Sequence, residues 1–309
     1  MQFDRVDRHL RLRFEAMASR NEVLATCADE ARARAALVAA CDEVRRIEAK
    51  YSRYRPDSVV SRINAAAGSA ERVEVDAETA SLLDFSARLF ELSGGLFDIT
   101  TGPLRRAWDF RRAREPDDAD LARVLPLIGW AQVDWDGHGV RLTRPGMELD
   151  FGGIGKEYAA DRAHAVLAQA GIAHGLVNLA GDLRATGPSE AGRPWTIGIQ
   201  HPRITDATCA SVQLARGALA TSGDYERYFV TPDGRRCCHI LHPRSGRPVT
   251  HWQSISVIQP SCVAAGALAT IAMLLGADAL SFLRDQGAAF LAVDQSGCLH
   301  RHDIDLPTS

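Results

Sequence analysis

The apolar positions along this chain change period several times, and each change marks an element. From Arg11 to Cys27, Phe14, Met17 and Val23-Leu24 stand among charged residues, the pattern of a strand region. After Asp29, the residues Leu37, Cys41, Val44 and Ile47 fall four, three and three apart. That spacing places them on one face of a helix that Asp29 caps. A Pro56-Asp57-Ser58 turn leads into a short helix from Val59 to Asn64 and leaves Tyr54 and Arg55 at a rim. Asp76 opens another helix, with Leu82, Phe85, Leu89 and Leu92 on its apolar face and Gly94-Gly95 as its stop.

Met147 to Asp150 reads as a strand, followed by a Gly152-Gly153-Ile154-Gly155-Lys156 turn and a helix from Tyr158 to Ala170. Leu176 to Leu179 is a strand running into the acidic turn Ala180-Gly181-Asp182, and Trp195–Gln200 and Ser211–Leu214 are further strands. Thr221-Ser222-Gly223-Asp224 reads as an exposed turn. Tyr228-Phe229-Val230 and Cys237–Leu241 flank Pro232-Asp233-Gly234, a strong hairpin signal. Ile255–Ile258 is a strand, Cys262–Leu275 a nearly all-apolar helix, and Phe290–Val293 with Leu299 a closing hairpin. Strands outnumber helices, and hairpins join neighbours as often as helices do. This favours an α+β architecture over a doubly wound sheet. One domain over residues 1–309 is expected, with a possible subdivision at the linker-like stretch 113–119.

Composition adds mainly exclusions. With 36 Lys and Arg against 39 Asp and Glu, the chain carries net charge −3 and no basic footprint for nucleic acid. No apolar run is read as reaching the roughly 18–20 residues of a membrane span. The first residues are charged and lack the apolar centre of a secretory signal. Seven cysteines show no Cys-x-x-Cys spacing, which suits reduced thiols and a cytoplasmic location.

The most chemical segment is the glycine turn before Lys156. Strand, glycine turn and helix start direct free amide groups and the positive end of a helix dipole at one spot, an arrangement that attracts anions. It is neither a P-loop nor a GxGxxG fingerprint.

Seven segments taken in order carry a resemblance: FEAMAS, SRYRPDSVVSRIN, GGLFDITTGPLRRAWDF, LDFGGIGKEYAADRA, VNLAGD, TSGDYERYF with HILHPRSGRPV, and SISVIQPS leading to ALATIAMLLG. From Phe14 to about Val293 the chain resembles the ApbE-type FAD:protein FMN transferases, enzymes that attach FMN to a threonine or serine of an acceptor protein. The resemblance implies two interlocked lobes of mixed and antiparallel sheet with packed helices, and FAD in the cleft between them. It implies FAD contacts at Met17, Tyr54, Leu96, Phe97, Asp98, Asp150, Lys156 and Leu241. The residue types suit that role. Tyr54 and Phe97 offer ring surfaces, Asp98 and Asp150 accept hydrogen bonds, and Lys156 supplies a cation for phosphate. Attack of the acceptor hydroxyl on the FMN-side phosphorus, with AMP leaving, needs a base, and His239 is the candidate.

One departure bears on the metal. The resemblance implies Mg²⁺ held by a backbone oxygen at Gly153, by Thr270, by an aspartate at the position of Gly266 and often by an acidic residue at that of Ala269. Here only Gly153 and Thr270 remain, and His242 replaces a further acidic residue. Asp182 and Asp224 are the other carboxylates of the cleft. Gly266→Asp is therefore expected to tighten Mg²⁺ binding. Three functions are compatible: a transferase with a weak or rearranged Mg²⁺ site, a flavin carrier or sensor that has lost transfer, and a slow FAD pyrophosphatase giving FMN and AMP.

Overall fold

Hairpins dominate the computed structural model, which describes residues 1–189 and 192–304. The chain opens with three antiparallel strands, β1 (Gln2–Val6), β2 (His9–Ala16) and β3 (Ser19–Thr26). Helix α1 (Glu30–Tyr51) starts where expected, the Asp29 side chain accepting from the Arg32 N–H, and buries Leu37, Cys41, Val44 and Ile47. Then come α2 (Val59–Ala65), β4 (Val73–Glu74), α3 (Ala77–Leu92), α4 (Leu104–Ala107), α5 (Asp118–Val124), β5 (Val133–Trp135) and β6 (Gly139–Leu142). Asp76 caps α3 as read, but Leu92 is exposed at the helix's last position, off the face that Leu82 and Leu89 bury.

The second half runs through α6 (Gly155–Gln169), β7 (His174–Leu179), β8 (Asp182–Ala185), β9 (Trp195–Gln200), β10 (Thr208–Leu214) and β11 (Gly217–Gly223). It ends with β12 (Tyr228–Val230), β13 (Arg236–Cys238), β14 (Trp252–Gln259), α7 (Cys262–Leu275), α8 (Ala279–Asp285), β15 (Ala289–Asp294) and β16 (Leu299–His302). Nine strands form one antiparallel sheet in the order β1-β2-β3-β7-β8-β11-β14-β15-β16. Helices α1, α6 and α7 cover one face and meet in a core of Leu, Ile, Val and Ala. The β9–β10 ribbon covers the other, with Trp195, Ile197, Ile199, Val212 and Leu214 packed on Leu176, Leu183 and Leu219. A three-stranded sheet (β4-β6-β5) lies beside α2, while α4, α5 and the β12–β13 hairpin share a third cluster around Trp108 and Phe229. The expected α+β class of mixed antiparallel sheets with packed helices is therefore the observed one.

Four local expectations change. Met147–Asp150 is extended but is not a strand. It is held by a single bridge between Glu148 and Thr101, by Asn64 on both polar groups of Leu149 and by the Asp150 N–H on the Ile99 carbonyl. Thr221-Ser222-Gly223 is not a turn but the end of β11, paired with Ser256, Ile255 and Ser254. Cys262–Asp285 forms a 24-residue helical run with an 18-residue window of mean hydropathy 1.9, so the chain does contain a stretch long and apolar enough, by length and composition, to cross a membrane. Here it turns at Gly276 (φ +60) and serves as a core helix. Finally, residues 113–119 are pinned rather than loose, Glu115 pairing with Arg235 and Arg247 and Asp118 with Arg247.

Candidate active site

Two tight turns bring the candidate residues to one end of the large sheet. Met17 and Ala18 (φ 54 and 57) join β2 to β3, and Ala180 and Gly181 (φ 51 and 95) join β7 to β8. Because β3 and β7 pair with Asn21 opposite Leu179, both turns emerge side by side. Non-glycine residues at positive φ are costly. The first turn is held open by Glu48, whose carboxylate accepts from the Met17 N–H at 2.6 Å, and by Asn21, which donates to the Ala16 carbonyl. Glu48 lies in the last turn of α1, so the same contact sets Met17 near the loop that carries Arg53 and Tyr54.

That loop faces the segment leading into α6. The Arg53 guanidinium pairs with the Asp150 carboxylate and also donates to the Tyr54 hydroxyl at 2.8 Å. Tyr54 is 72 % exposed, a ring held at the rim with no core packing to explain it. Its surroundings work in two directions: crowding opposes ionisation, but Arg53, Arg227 and Arg105 outweigh it and hold the phenol below its ordinary pKa. Asp150 keeps its second oxygen on the Gly152 N–H at 3.0 Å, which bends the chain into the glycine turn. Phe97 lies against that turn. A Cβ on Gly153 would meet the Phe97 ring at 3.2 Å, so glycine here lets an aromatic face pack directly on backbone.

Leu96 and Phe97 follow the Gly94-Gly95 stop, with the Phe97 N–H bound by Ser93 Oγ. Asp98 is buried with both oxygens committed, one to the Thr100 N–H and hydroxyl, the other to the Trp130 N–H. Burial pushes its pKa up despite those bonds. Its carboxylate braces the loop. Leu241 bridges to Pro248 and packs with Trp108 and Phe229, under the loop where His242 stands.

Helix α6 opens at Gly155 with no side-chain cap, the Gly155 N–H bonding instead to the Phe151 carbonyl at 2.7 Å. Lys156 Nζ reaches Asp182 at 2.8 Å. Burial works against the ammonium, but the Asp182 and Glu157 carboxylates overcome it and raise the Lys156 pKa. Asp182 itself is 2 % exposed at the first position of β8 and also accepts from the Thr221 N–H at 3.4 Å. The next residue along α6, Glu157, is 8 % exposed, and burial followed by the Asp182 charge raises its pKa. Its Oε2 has no hydrogen-bond partner. One ammonium thus faces two buried carboxylates and can neutralise one. Asp182 is the one that it touches.

His239 follows β13, its N–H bonded to the Arg227 carbonyl at 2.9 Å. Crowding by cleft walls, then Arg227 and Lys156, depress its pKa to about 4, although the ring remains open to water. It is therefore neutral at pH 7. Thr270 sits on α7, its hydroxyl 2.8 Å from that of Ser222 in β11. Gly266 lies one turn earlier on the same helix, against α6. Asp224 is not available, because Arg203 holds both its oxygens at 2.6 and 2.7 Å. Among the described residues no three of His, Cys, Asp and Glu converge as a ready-made metal cluster.

The structure thus ties Met17 to the end of α1 through Glu48, Tyr54 to Asp150 through Arg53, and Lys156 to Asp182, with His239 close enough to Lys156 to feel its charge and Thr270 on α7 bonded to Ser222. Sequence reasoning missed Arg53, Arg227 and Glu157. Arg53 had a signal, lying next to Tyr54 in a segment rich in arginine.

The sequence model of the ApbE family matches residues 17–292. The chain is 35 % identical over 248 residues to the FAD:protein FMN transferase of Treponema pallidum, covering 74 % of this chain and 68 % of that protein. It is 32 % identical over 257 residues to the enzyme of the same name from Salmonella typhimurium, covering 80 % and 73 %. The crystal structure of the ApbE protein from Thermotoga maritima superposes with a TM-score of 0.88 at 32 % identity, over 96 % of this chain and 97 % of that one. The apo form of the flavinyl transferase ApbE from Pseudomonas stutzeri gives 0.81 at 29 % identity, over 98 % and 96 %.

Proposed function

This chain belongs to the ApbE family, and we propose that it cleaves FAD and attaches the FMN portion through a phosphoester to a threonine or serine of an acceptor protein, releasing AMP. The observation that carries the reading is the set of cations beside Tyr54 and at the start of α6. Arg53 donates to the Tyr54 hydroxyl, the charges of Arg227 and Arg105 act on the same phenol, and Lys156 lies in the first turn of α6; Arg53, Arg105 and Lys156 also hold the carboxylates of Asp150, Glu148 and Asp182. Four cations and a helix N-terminus suit a pyrophosphate, and an exposed tyrosine at the rim suits a planar ring.

In this reading Arg53 orients Asp150 and Tyr54 toward the ligand rings, and Lys156 counters charge on the phosphates. His239 takes the proton from the acceptor hydroxyl as its oxygen bonds to the FMN-side phosphorus. The bond from that phosphorus to the bridging oxygen breaks, and AMP departs with the bridging oxygen. The oxygen donors of the cleft, with Thr270 and the Gly153 carbonyl among them, fit a small hard cation such as Mg²⁺, which would supply charge neutralisation at the phosphates. The acceptor would be a protein of the compartment in which this chain resides, which we propose to be the cytoplasm.

Incubation with FAD, Mg²⁺ and an acceptor carrying the target threonine, followed by a denaturing gel viewed by flavin fluorescence, tests the reading. A fluorescent acceptor band supports it. A dark band beside tightly bound FAD assigns the protein to flavin carriage or sensing, and FMN and AMP in solution with a dark band assign it to pyrophosphatase activity.

A further inference from the structure

Gly266 and Glu157 form a fitted pair. A Cβ built on Gly266 would lie 2.5 Å from Glu157 Cγ, 2.8 Å from its Oε1 and 2.9 Å from its Cδ. The glutamate of α6 therefore runs through the volume that any side chain at position 266 of α7 would occupy. Glycine at this point of an otherwise Ala- and Leu-rich helix is unfavourable for the helix alone. Its presence makes room for a carboxylate.

One oxygen of that carboxylate lacks a partner inside the protein. Glu157 is 92 % buried by complement of its 8 % exposure, and Oε2 makes no hydrogen bond. The one ammonium nearby is in contact with Asp182 at 2.8 Å. A buried acidic oxygen without a donor costs several kcal/mol unless a proton or a cation accompanies it. Helix α7 offers a further oxygen nearby: Thr270 stands one turn beyond Gly266 on the same helix face, its hydroxyl linked to that of Ser222 at 2.8 Å.

We propose that Glu157 is the carboxylate ligand of the divalent cation in this chain, supplied from α6 into the space that Gly266 leaves open on α7, with the Thr270 hydroxyl beside it. The proposal rests on the transferase reading for the role of the cation, not for its binding. It also revises the expectation that Gly266→Asp tightens Mg²⁺ binding, because that side chain would overlap Glu157.

The test is Mn²⁺ binding to the full chain, followed by calorimetry and by loss of the free Mn²⁺ paramagnetic resonance signal, with and without FAD. Glu157→Gln keeps the size and removes the charge, and a loss of at least tenfold in Mn²⁺ affinity is expected. Gly266→Asp alone is expected to lower the melting temperature without tightening Mn²⁺. Glu157→Gly combined with Gly266→Asp moves the carboxylate to α7 and is expected to restore affinity to within about threefold of wild type. Unchanged affinity in Glu157→Gln, or tighter binding with full stability in Gly266→Asp, overturns the assignment. So does wild-type protein that binds no Mn²⁺ in either condition. If Glu157→Gln fails to fold, the double variant decides: no recovery of Mn²⁺ binding in the folded double variant is equally fatal. Wild type that binds Mn²⁺ through Glu157 yet neither binds FAD nor labels an acceptor overturns the transferase reading alone.

Discussion

Lys156 stands between two buried carboxylates, and removing it has a different consequence from removing either of them. Without the ammonium, Asp182 loses its partner in a site that water scarcely reaches. Lys156→Met is therefore expected to cost about 3 kcal/mol in chemical denaturation. Asp182→Asn leaves Glu157 as a second carboxylate for the same ammonium, so its cost is expected to be less than half as large. Equal losses would show that Glu157 does not share the charge. His239 makes a separate prediction. If it accepts the hydroxyl proton, His239→Gln lowers the rate of acceptor labelling by roughly 10²–10⁴ while FAD affinity, measured by fluorescence titration, stays within threefold. A matching loss in FAD affinity would assign the ring to ligand binding instead. At this scale the sequence was partly readable. Aromatic and cationic candidates could be picked from their segments, but Glu157 sits in a charged first turn that looks like any solvated helix start. Only the glycine from a distant helix reveals that it points inward.

A second side chain of α6 also reaches α7. Asp161, inside α6, accepts from the N–H groups of Cys262 and Val263, both at 2.9 Å, and so caps α7 alongside Ser261. Asp161→Ala leaves two donors unsatisfied and is expected to cost about 1–2 kcal/mol, read from denaturant midpoints. The β7–β8 turn offers a cleaner case. No atom lies within 4 Å of a Cβ on Gly181, so Gly181→Ala tests backbone conformation alone, at φ +95. A loss of about 1 kcal/mol is expected, and no loss would mean the turn relaxes to another type. Elements were legible where period and punctuation agreed, as in α1, α3 and the Asp233-Gly234 hairpin. They were not where polar residues face a site. Thr221 and Ser222 look like a turn, yet their hydroxyls pair with Ser256 and Thr270 inside the structure. Met147–Asp150 has strand composition but no neighbour to pair with along its length, because Asn64 takes the polar groups of Leu149 instead.

Across the molecule, a charge network holds α1, α3 and α6 together. Glu78 meets Arg46, Lys50 and the Tyr158 hydroxyl, and Asp76 meets Lys50. Arg46 first, against burial, lowers Glu78 to about 2; for Asp76 burial opposes, but Lys50 and Thr79 prevail and also bring it to about 2. Both folded pKa values lie below the unfolded ones, so the unfolded chain binds more protons as the solution is acidified. The stabilisation is complete above about pH 4.5 and is lost as pH falls toward 2. Melting temperature should drop steeply over that window, and in Glu78→Gln the drop should be visibly shallower. Parallel curves for the two proteins would remove this network as the cause.

The borders of the large sheet carry their own consequence. Its outermost strands among the described residues, β1 with Asp4 and Arg5 and β16 with Arg301, place charge along both outer edges. Charged edges discourage another chain from zipping on as an additional strand. Concentrated solutions should then stay monodisperse at neutral pH, and a visiting polypeptide is left to meet this protein end-on, where the turns carrying Met17 and Gly181 come to the surface.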